Sequence, residues 1–194
     1  MIRTLATLLT LATLAALAPA PAQARWSQAA AVNVQESWDL IRQAAWMAGI
    51  EDQAPVLAAL LANESNLSAI RGRYHADIWG PGQIHWSTWG PLLKIRGVAK
   101  CPEDLMIDLY TGILATAVVL AHLRETYPER SLDLVICLYG VGSLALSFVT
   151  DCEYSREVMD NVVRVLRVVW AREMGGGERD DRPVAVLEGS GASR

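Results

Sequence analysis

Apolar residues recur at spacings of three and four along most of this chain, which is the period of one face of an α-helix. Residues 35–48 show the pattern clearly, with apolar side chains at Trp38, Ile41 and Ala45. Gly49 follows them as a stop signal. The two-residue alternation that marks a half-buried strand is scarce. The chain is therefore predicted to be mainly α.

The same period predicts four further helices. They cover residues 54–64, 103–125, 132–148 and 155–174. Residues 68–85 contain several glycines and show no period, so we expect a loop with tight turns there, and a second loop covers residues 97–102. The uncharged part of 103–125 is too short to span a bilayer, so this helix is predicted to lie buried at the centre of the fold.

The first residues have the form of a secretory signal peptide. Arg3 is followed by an uncharged run, and Ala-Gln-Ala at residues 22–24 has the form of a signal-peptidase site. We therefore predict a signal peptide over residues 1–24, a mature chain that begins near Arg25, and a periplasmic location. An uncleaved anchor in the inner membrane is the alternative that the sequence leaves open.

The remaining part, about 170 residues, matches the usual size of one domain, which we place at residues 25–174. Three glycines at 175–177 end the last predicted helix, and the tail 175–194 is predicted to be disordered. Without Arg3 the chain has 16 basic and 21 acidic residues, a net charge of −5. This charge argues against a nucleic-acid partner, which would require a basic stripe. We expect a monomer.

The chain has three cysteines, Cys101, Cys137 and Cys152, so an oxidising compartment predicts one disulfide and one unpaired thiol. Cys137 lies in an apolar run, where a free cysteine behaves as a small hydrophobe. We therefore favour a disulfide between Cys101 and Cys152. The histidines and cysteines show no zinc-ligand spacing, so neither a structural metal nor a cofactor is expected.

A glutamate stands where an apolar helix gives way to a polar loop. The helix has Pro55 in its first turn, and Glu64 is its last residue. A carboxylate there faces the negative end of the helix dipole, and this position together with burial would raise its pKa. A raised pKa is what a general acid requires, so Glu64 is the candidate catalytic residue. The alternative is an exposed glutamate at a helix end.

Three short motifs carry a resemblance to a known family. They are Glu64-Ser65-Asn66-Leu67, Gly80-Pro81-Gly82-Gln83-Ile84 and Leu138-Tyr139-Gly140-Val141-Gly142. In order and spacing they resemble the signatures of the Slt-type lytic transglycosylases, which are Glu-Ser with an apolar residue, Gly-Leu-Met-Gln-Ile and Ala-Tyr-Asn-Ala-Gly. The match spans roughly residues 38–172. It implies a lysozyme-like single domain with a catalytic cleft.

The resemblance also implies an activity. Such enzymes cleave the β-1,4 bond between N-acetylmuramic acid and N-acetylglucosamine in peptidoglycan and leave a 1,6-anhydromuramyl end. Glu64 would be the sole general acid and base. Glycan strands of peptidoglycan would be the partner. By resemblance, five residues would bind the substrate: Ser65, Gly82, Gln83, Ile84 and Tyr139.

Two departures from the family pattern affect the sugar site. Pro81-Gly82 replaces Leu-Met, and Gly140 replaces the asparagine of the third motif. We expect altered substrate fit before loss of chemistry. One alternative is a hydrolytic muramidase on the same fold, which would need a second carboxylate such as Asp77. Another is a non-catalytic peptidoglycan-binding component of a secretion apparatus.

Size and aromatic content suggest two further points. By analogy alone, a small domain suits local opening of the wall for a secretion or conjugation apparatus. Trp79, Trp86 and Trp89 lie near the second motif, where their rings either line a sugar cleft or belong to the core.

Overall fold

A computed structural model describes residues 26–68, 77–141 and 152–175 of the chain. This part is mainly α, which confirms the prediction from the apolar spacing. Its seven helices are α1 (Gln28–Met47), α2 (Ala54–Ser65), α3 (Trp86–Ile95), α4 (Asp104–Ile107), α5 (Leu109–Thr126), α6 (Leu132–Val141) and α7 (Glu153–Gly175). A short antiparallel ribbon pairs β1 (Ile78–Trp79) with β2 (Ile84–His85), and a 3₁₀ turn at Glu51–Gln53 joins α1 to α2.

Several predicted features lie outside the described residues. They are the signal peptide over 1–24, the part of the first loop at 69–76, the end of a predicted helix at 142–148 with the last glycine of the third motif, and the tail at 176–194. Within the described ranges, no helix combines the length and the apolar character needed to cross a membrane.

Helix α2 is a central part of the apolar core. Every side chain from residue 56 to residue 62 is buried, and α2 packs against α1, α5 and α7. A helix that is apolar on all sides is stable only inside a protein. Each fully buried leucine, such as Leu57 or Leu60, contributes about 1.5–3 kcal/mol relative to an exposed one. The end of α2 is therefore held firmly, and Glu64 lies at that end.

The single helix predicted over residues 103–125 is two helices in the structure, and Asp108 separates them. The backbone of Asp108 is extended, with φ −128° and ψ 121°, and its carboxylate accepts hydrogen bonds from the N–H groups of Tyr110 and Thr111. Aspartate favours this cap position because its short side chain reaches the free N–H groups of the first turn. The burial predicted for this region is found in α5, half of whose residues are buried in the core.

The apolar spacing does not predict α3. This helix contains Gly90 and Pro91, which are unfavourable in a helix interior. Its start is stabilised from elsewhere, because the Asp77 carboxylate accepts hydrogen bonds from the backbone N–H of Ser87 at 2.9 Å and from its hydroxyl. An acceptor that reaches the free N–H groups of a first turn acts as a cap. Here it comes from ten residues earlier in the chain, which local spacing does not reveal.

Helix α1 begins at Gln28, not at residue 35 as the apolar spacing predicts. The hydroxyl of Ser27 accepts a hydrogen bond from the backbone N–H of Ala30 at 3.0 Å and caps this earlier start. The other predicted helix starts agree with the structure to within two residues.

The disulfide joins Cys137 to Cys152, so the predicted pairing of Cys101 with Cys152 is wrong. Cys137 is fully buried on α6, and the packing of α6 against α7 brings it to Cys152, just before α7 begins. Apolar surroundings therefore do not indicate a free thiol at Cys137. The unpaired cysteine is Cys101, which is partly exposed and whose Sγ lies 3.4 Å from a carboxylate oxygen of Asp104.

Candidate functional site

Glu64 lies on the last turn of α2, the helix buried in the core. The helix ends at Ser65, and Asn66 then takes the left-handed conformation with φ 54°. Asparagine tolerates this conformation, so the chain leaves the helix here. Asn33 on α1 fixes the exit by donating from Nδ2 to the carbonyl of Asn66 at 2.7 Å. The half-buried side chain of Glu64 is thus presented where a buried helix reaches the surface.

The carboxyl group of Glu64 accepts a hydrogen bond from a tyrosine. The hydroxyl of Tyr154, on the first turn of α7, donates a hydrogen bond to Oε1 of Glu64. Burial raises the pKa of Glu64 to about 7, although the bond from Tyr154 lowers it. The direction of this shift is the one expected from the sequence. A carboxyl with this pKa exchanges its proton near neutral pH, as a general acid or base must.

Tyr154 itself remains protonated. Burial, followed by the nearby charge of Glu64, holds the pKa of Tyr154 well above its ordinary value. The hydroxyl is therefore a permanent hydrogen-bond donor to the carboxyl over the pH range in which Glu64 titrates.

Gly140 makes room for this tyrosine. A Cβ atom at position 140 would lie 2.5 Å from Cε1 of Tyr154, which is too close for any side chain unless the ring moves. The absence of a side chain at Gly140 therefore allows the ring to reach Glu64. The sequence does not predict Tyr154 as a site residue, because its bond to Glu64 joins positions 90 apart. The only signal is the missing side chain at Gly140, and it does not identify what fills the space.

Residues 80–82 form a turn, the 80–82 turn, whose three carbonyl groups each accept one side-chain hydrogen bond. The side-chain amide of Gln83 donates to the carbonyl of residue 80 at 2.9 Å. The hydroxyl of Ser65 donates to the carbonyl of residue 81 at 2.6 Å, and the hydroxyl of Tyr139 donates to the carbonyl of residue 82 at 2.6 Å. Three of the five residues predicted to bind substrate are thus brought together around one turn. Their donor groups hold the backbone of that turn in place.

The 80–82 turn lies directly on α5. A Cβ atom at Gly82 would lie 2.0 Å from Oγ1 of Thr116 and 2.8 Å from the hydroxyl oxygen of Tyr139, so only glycine fits there. Thr116 is fully buried, and its hydroxyl donates to the carbonyl of Gly112 at 2.9 Å. Burial and then the charge of Glu64 keep the pKa of Tyr139 well above its ordinary value, so its hydroxyl keeps the proton that it donates to the turn.

Ile84, the last of the predicted substrate-binding residues, has its side chain in the core. It is 2% exposed, and β2 pairs it with Trp79 of β1. The side chain of Ile84 therefore stabilises the ribbon that follows the turn.

Asp77, the second carboxylate considered for hydrolysis, is used at the start of α3. The side-chain and backbone hydrogen bonds from Ser87 lower the pKa of Asp77 below its ordinary value. Its geometry is that of a helix cap that stays ionised at neutral pH.

The rings of Trp86 and Trp89 have partners inside the protein. The ammonium group of Lys94 lies 5.4 Å from the centre of the Trp86 ring, and Trp89 meets His122 edge-on with 6.1 Å between the ring centres. Trp86, Trp89 and Trp79 are all partly buried against the core. Each ring is thus partly packed on the core and partly exposed.

Among the described residues, no group of three or more histidine, cysteine, aspartate or glutamate side chains is arranged to hold a metal ion. The candidate site combines Glu64 and Tyr154 with a turn that three side chains hold in place. Such a site can donate and accept one proton beside a rigid stretch of backbone. No protein-family model matches the chain, and neither a curated protein nor a solved structure matches it.

Proposed function

We propose that this protein is an exported lytic transglycosylase of peptidoglycan. It cleaves the β-1,4 bond between N-acetylmuramic acid and N-acetylglucosamine and leaves 1,6-anhydromuramyl ends. The proposal includes a lysozyme-like domain with Glu64 in a catalytic cleft, a periplasmic location, and glycan strands as the partner. One observation carries it: Glu64 is a half-buried carboxyl with a pKa near 7 and a tyrosine hydroxyl bonded to it.

The reaction requires one group to give and then take a proton. Protonated Glu64 donates to the glycosidic oxygen as the bond from C1 of the muramic acid to that oxygen breaks. The resulting carboxylate then accepts the proton of the C6 hydroxyl of the same sugar while O6 bonds to C1, which closes the anhydro ring and returns Glu64 to its protonated form. A pKa near the working pH serves both steps.

Tyr154 supports this cycle by balancing the effect of burial. Burial alone favours protonated Glu64 and so opposes the first transfer. The hydrogen bond from Tyr154 stabilises the carboxylate that forms, and it lowers the pKa of Glu64. Because Tyr154 binds Oε1, the other oxygen of the carboxyl is the one we assign to proton transfer.

The 80–82 turn supplies the wall against which a sugar would lie. In this proposal Ser65, Gln83 and Tyr139 act first by fixing the carbonyl groups of that turn. Three successive peptide groups of this wall are already held in place. A ligand positioned against them therefore reacts with little further loss of entropy. Sugar contacts by these residues, by Gly82 and by the backbone of Ile84 remain part of the proposal.

The geometry of Asp77 favours a lyase over a hydrolase. Hydrolysis by two carboxyl groups requires the second one to face the sugar at about 5–9.5 Å from the first. The carboxylate of Asp77 is instead bonded to the backbone N–H and the hydroxyl of Ser87. A mechanism that uses Glu64 alone and the substrate's own hydroxyl needs no such second group.

The test is mass spectrometry of the fragments released from purified peptidoglycan by the mature chain. We would compare the wild type with Glu64→Gln and, as a matched control, with Glu129→Gln, an exposed glutamate between α5 and α6. We expect 1,6-anhydromuramyl fragments from the wild type and the control and none from Glu64→Gln.

The other outcomes are equally informative. Reducing ends in place of anhydro ends would make the protein a muramidase. Activity that survives in Glu64→Gln would remove Glu64 as the acid. No fragments from the wild type between pH 5 and pH 8 would favour a non-catalytic component that binds peptidoglycan within a secretion or conjugation apparatus.

A further inference from the structure

The disulfide lies close to the candidate site in both of the helices that it joins. Cys137 stands two residues before Tyr139 on α6, and Cys152 stands two residues before Tyr154 at the start of α7. The Cα atoms of the two cysteines are 6.1 Å apart. The negative charge of Glu64 contributes to the raised pKa of both tyrosines. The bridge therefore ties together the two chain segments that surround this carboxyl.

The contact between Tyr154 and Gly140 depends on how closely α6 and α7 approach. The ring of Tyr154 occupies the space where a Cβ atom of residue 140 would be, so it lies directly on the backbone of α6. Gly140 is three residues after Cys137, which is less than one turn of helix. A small separation of the start of α7 from α6 would carry the Tyr154 hydroxyl away from Glu64.

We propose that the Cys137–Cys152 disulfide is a positioning element of the Glu64 site, which holds the start of α7 on α6 so that the Tyr154 hydroxyl reaches the carboxyl. Reduction of the disulfide then disconnects Tyr154 from Glu64 and slows the proposed reaction. The effect on catalysis rests on the proposed function, whereas the effect on Glu64 itself does not.

The bridge is open to a dithiol from one side. Cys137 is fully buried, whereas Cys152 is partly exposed. A reductant thiolate would attack Sγ of Cys152, form a mixed disulfide and release the thiolate of Cys137. The second thiol of the reductant then closes its own disulfide and releases Cys152. Two electrons pass to the protein, both cysteines take up a proton, and the dithiol is oxidised.

The first test measures the pKa of Glu64 directly, by NMR of its carboxyl carbon during a pH titration. The samples are the wild type and Tyr154→Phe, each oxidised and each reduced with dithiothreitol. Cys101→Ala serves as the control, because Cys101 is the unpaired cysteine. Far-ultraviolet circular dichroism would verify that each sample keeps its helices.

We expect both Tyr154→Phe and reduction to raise the pKa of Glu64, since either change removes the bond that lowers it. Reduction should add nothing in Tyr154→Phe, because the two changes act through the same contact. Cys101→Ala should respond as the wild type does. The proposal is overturned if reduction leaves this pKa unchanged, if it shifts the pKa equally in Tyr154→Phe, or if it abolishes the helical signal.

The second test measures turnover on peptidoglycan before reduction, after reduction and after reoxidation. We expect kcat to fall about tenfold or more, with KM changed less than about twofold, and to recover on reoxidation. The double variant Cys137→Ala/Cys152→Ala should match the reduced wild type. Activity that is unaffected by reduction would overturn the role in catalysis and leave the proposed function standing. An oxidised wild type without activity would overturn the proposed function, and the NMR titration would still decide the placement of Tyr154.

Discussion

A Cβ atom at position 140 would lie 2.5 Å from Cε1 of Tyr154, so the packing of α6 on the start of α7 requires a glycine at this point. Gly140 is thus the residue that admits the hydrogen-bond donor to Glu64. This relationship can be tested through both stability and chemistry.

We predict that Gly140→Ala lowers the free energy of unfolding and displaces the ring of Tyr154. Overpacking of this kind costs about 1–3 kcal/mol, which the better helix propensity of alanine offsets by about 1 kcal/mol. Urea unfolding would measure the difference. In a Tyr154→Ala background the same substitution should be neutral or stabilising. An equal cost in both backgrounds would show that the ring is not what excludes a side chain at Gly140.

We predict that Glu64→Gln stabilises the protein at alkaline pH. The folded pKa of Glu64 is raised from 4.5 to about 7. Between these values the folded state holds a proton that the unfolded state has released, so the free energy of unfolding falls as the pH rises through this window. Above it the cost is about 3 kcal/mol. Glutamine does not ionise, so the variant should exceed the wild type by this amount at pH 8.

Urea unfolding at pH 4 and pH 8 would test this expectation. The difference between Glu64→Gln and the wild type should be small at pH 4 and large at pH 8. Glu129→Gln, at an exposed position, should show no such change. A constant difference at both pH values would contradict the raised pKa.

We predict that Tyr154→Phe shifts the pH profile of cleavage. The proposed first step needs protonated Glu64, so activity should fall as the pH rises through about 7. Without the hydroxyl of Tyr154 the carboxylate is less stable, and the midpoint of this fall should move to higher pH. Rates of fragment release across pH 5–9 would measure it. A midpoint that stays in place would show that the hydrogen bond does not control the proton on Glu64.

We predict that Tyr139→Phe and Ser65→Ala weaken the 80–82 turn. Each leaves a carbonyl group without its side-chain donor, at a cost of about 1–3 kcal/mol where the carbonyl is buried. Unfolding by urea would measure the stability, and fragment release would report the lost activity. Tyr127→Phe, at the C-terminal end of α5, controls for the removal of a tyrosine hydroxyl. Full stability in Tyr139→Phe would show that the turn does not depend on this bond.

What the sequence predicted correctly depends on local pattern. The helices around Trp38 and Leu57 follow from apolar spacing, and the place of Glu64 at the end of α2 follows from where that spacing stops. The break at Asp108 was missed, because a run of apolar residues does not show that one carboxylate caps a second helix.

The remaining features depend on contacts between distant segments. Cys137 and Cys152 are joined because α6 packs on α7, and no spacing rule gives that packing. Tyr154 reaches Glu64 across 90 positions for the same reason. Ser65 and Tyr139 donate hydrogen bonds to backbone carbonyls of the second motif, and residue types alone do not predict such bonds.

The burial of α2 on every side also decides which parts of the site can move. Shifting or rotating this helix would open cavities beside Leu57, Leu60 and Leu61, and the loss of one such leucine side chain already costs about 2–5 kcal/mol. We therefore expect the backbone beneath Glu64 to stay in place when a ligand binds. Any adjustment to a bound ligand therefore falls outside α2. The carboxyl is the fixed reference point, and in the proposed reaction the sugar has to adjust its own ring and orientation to meet it.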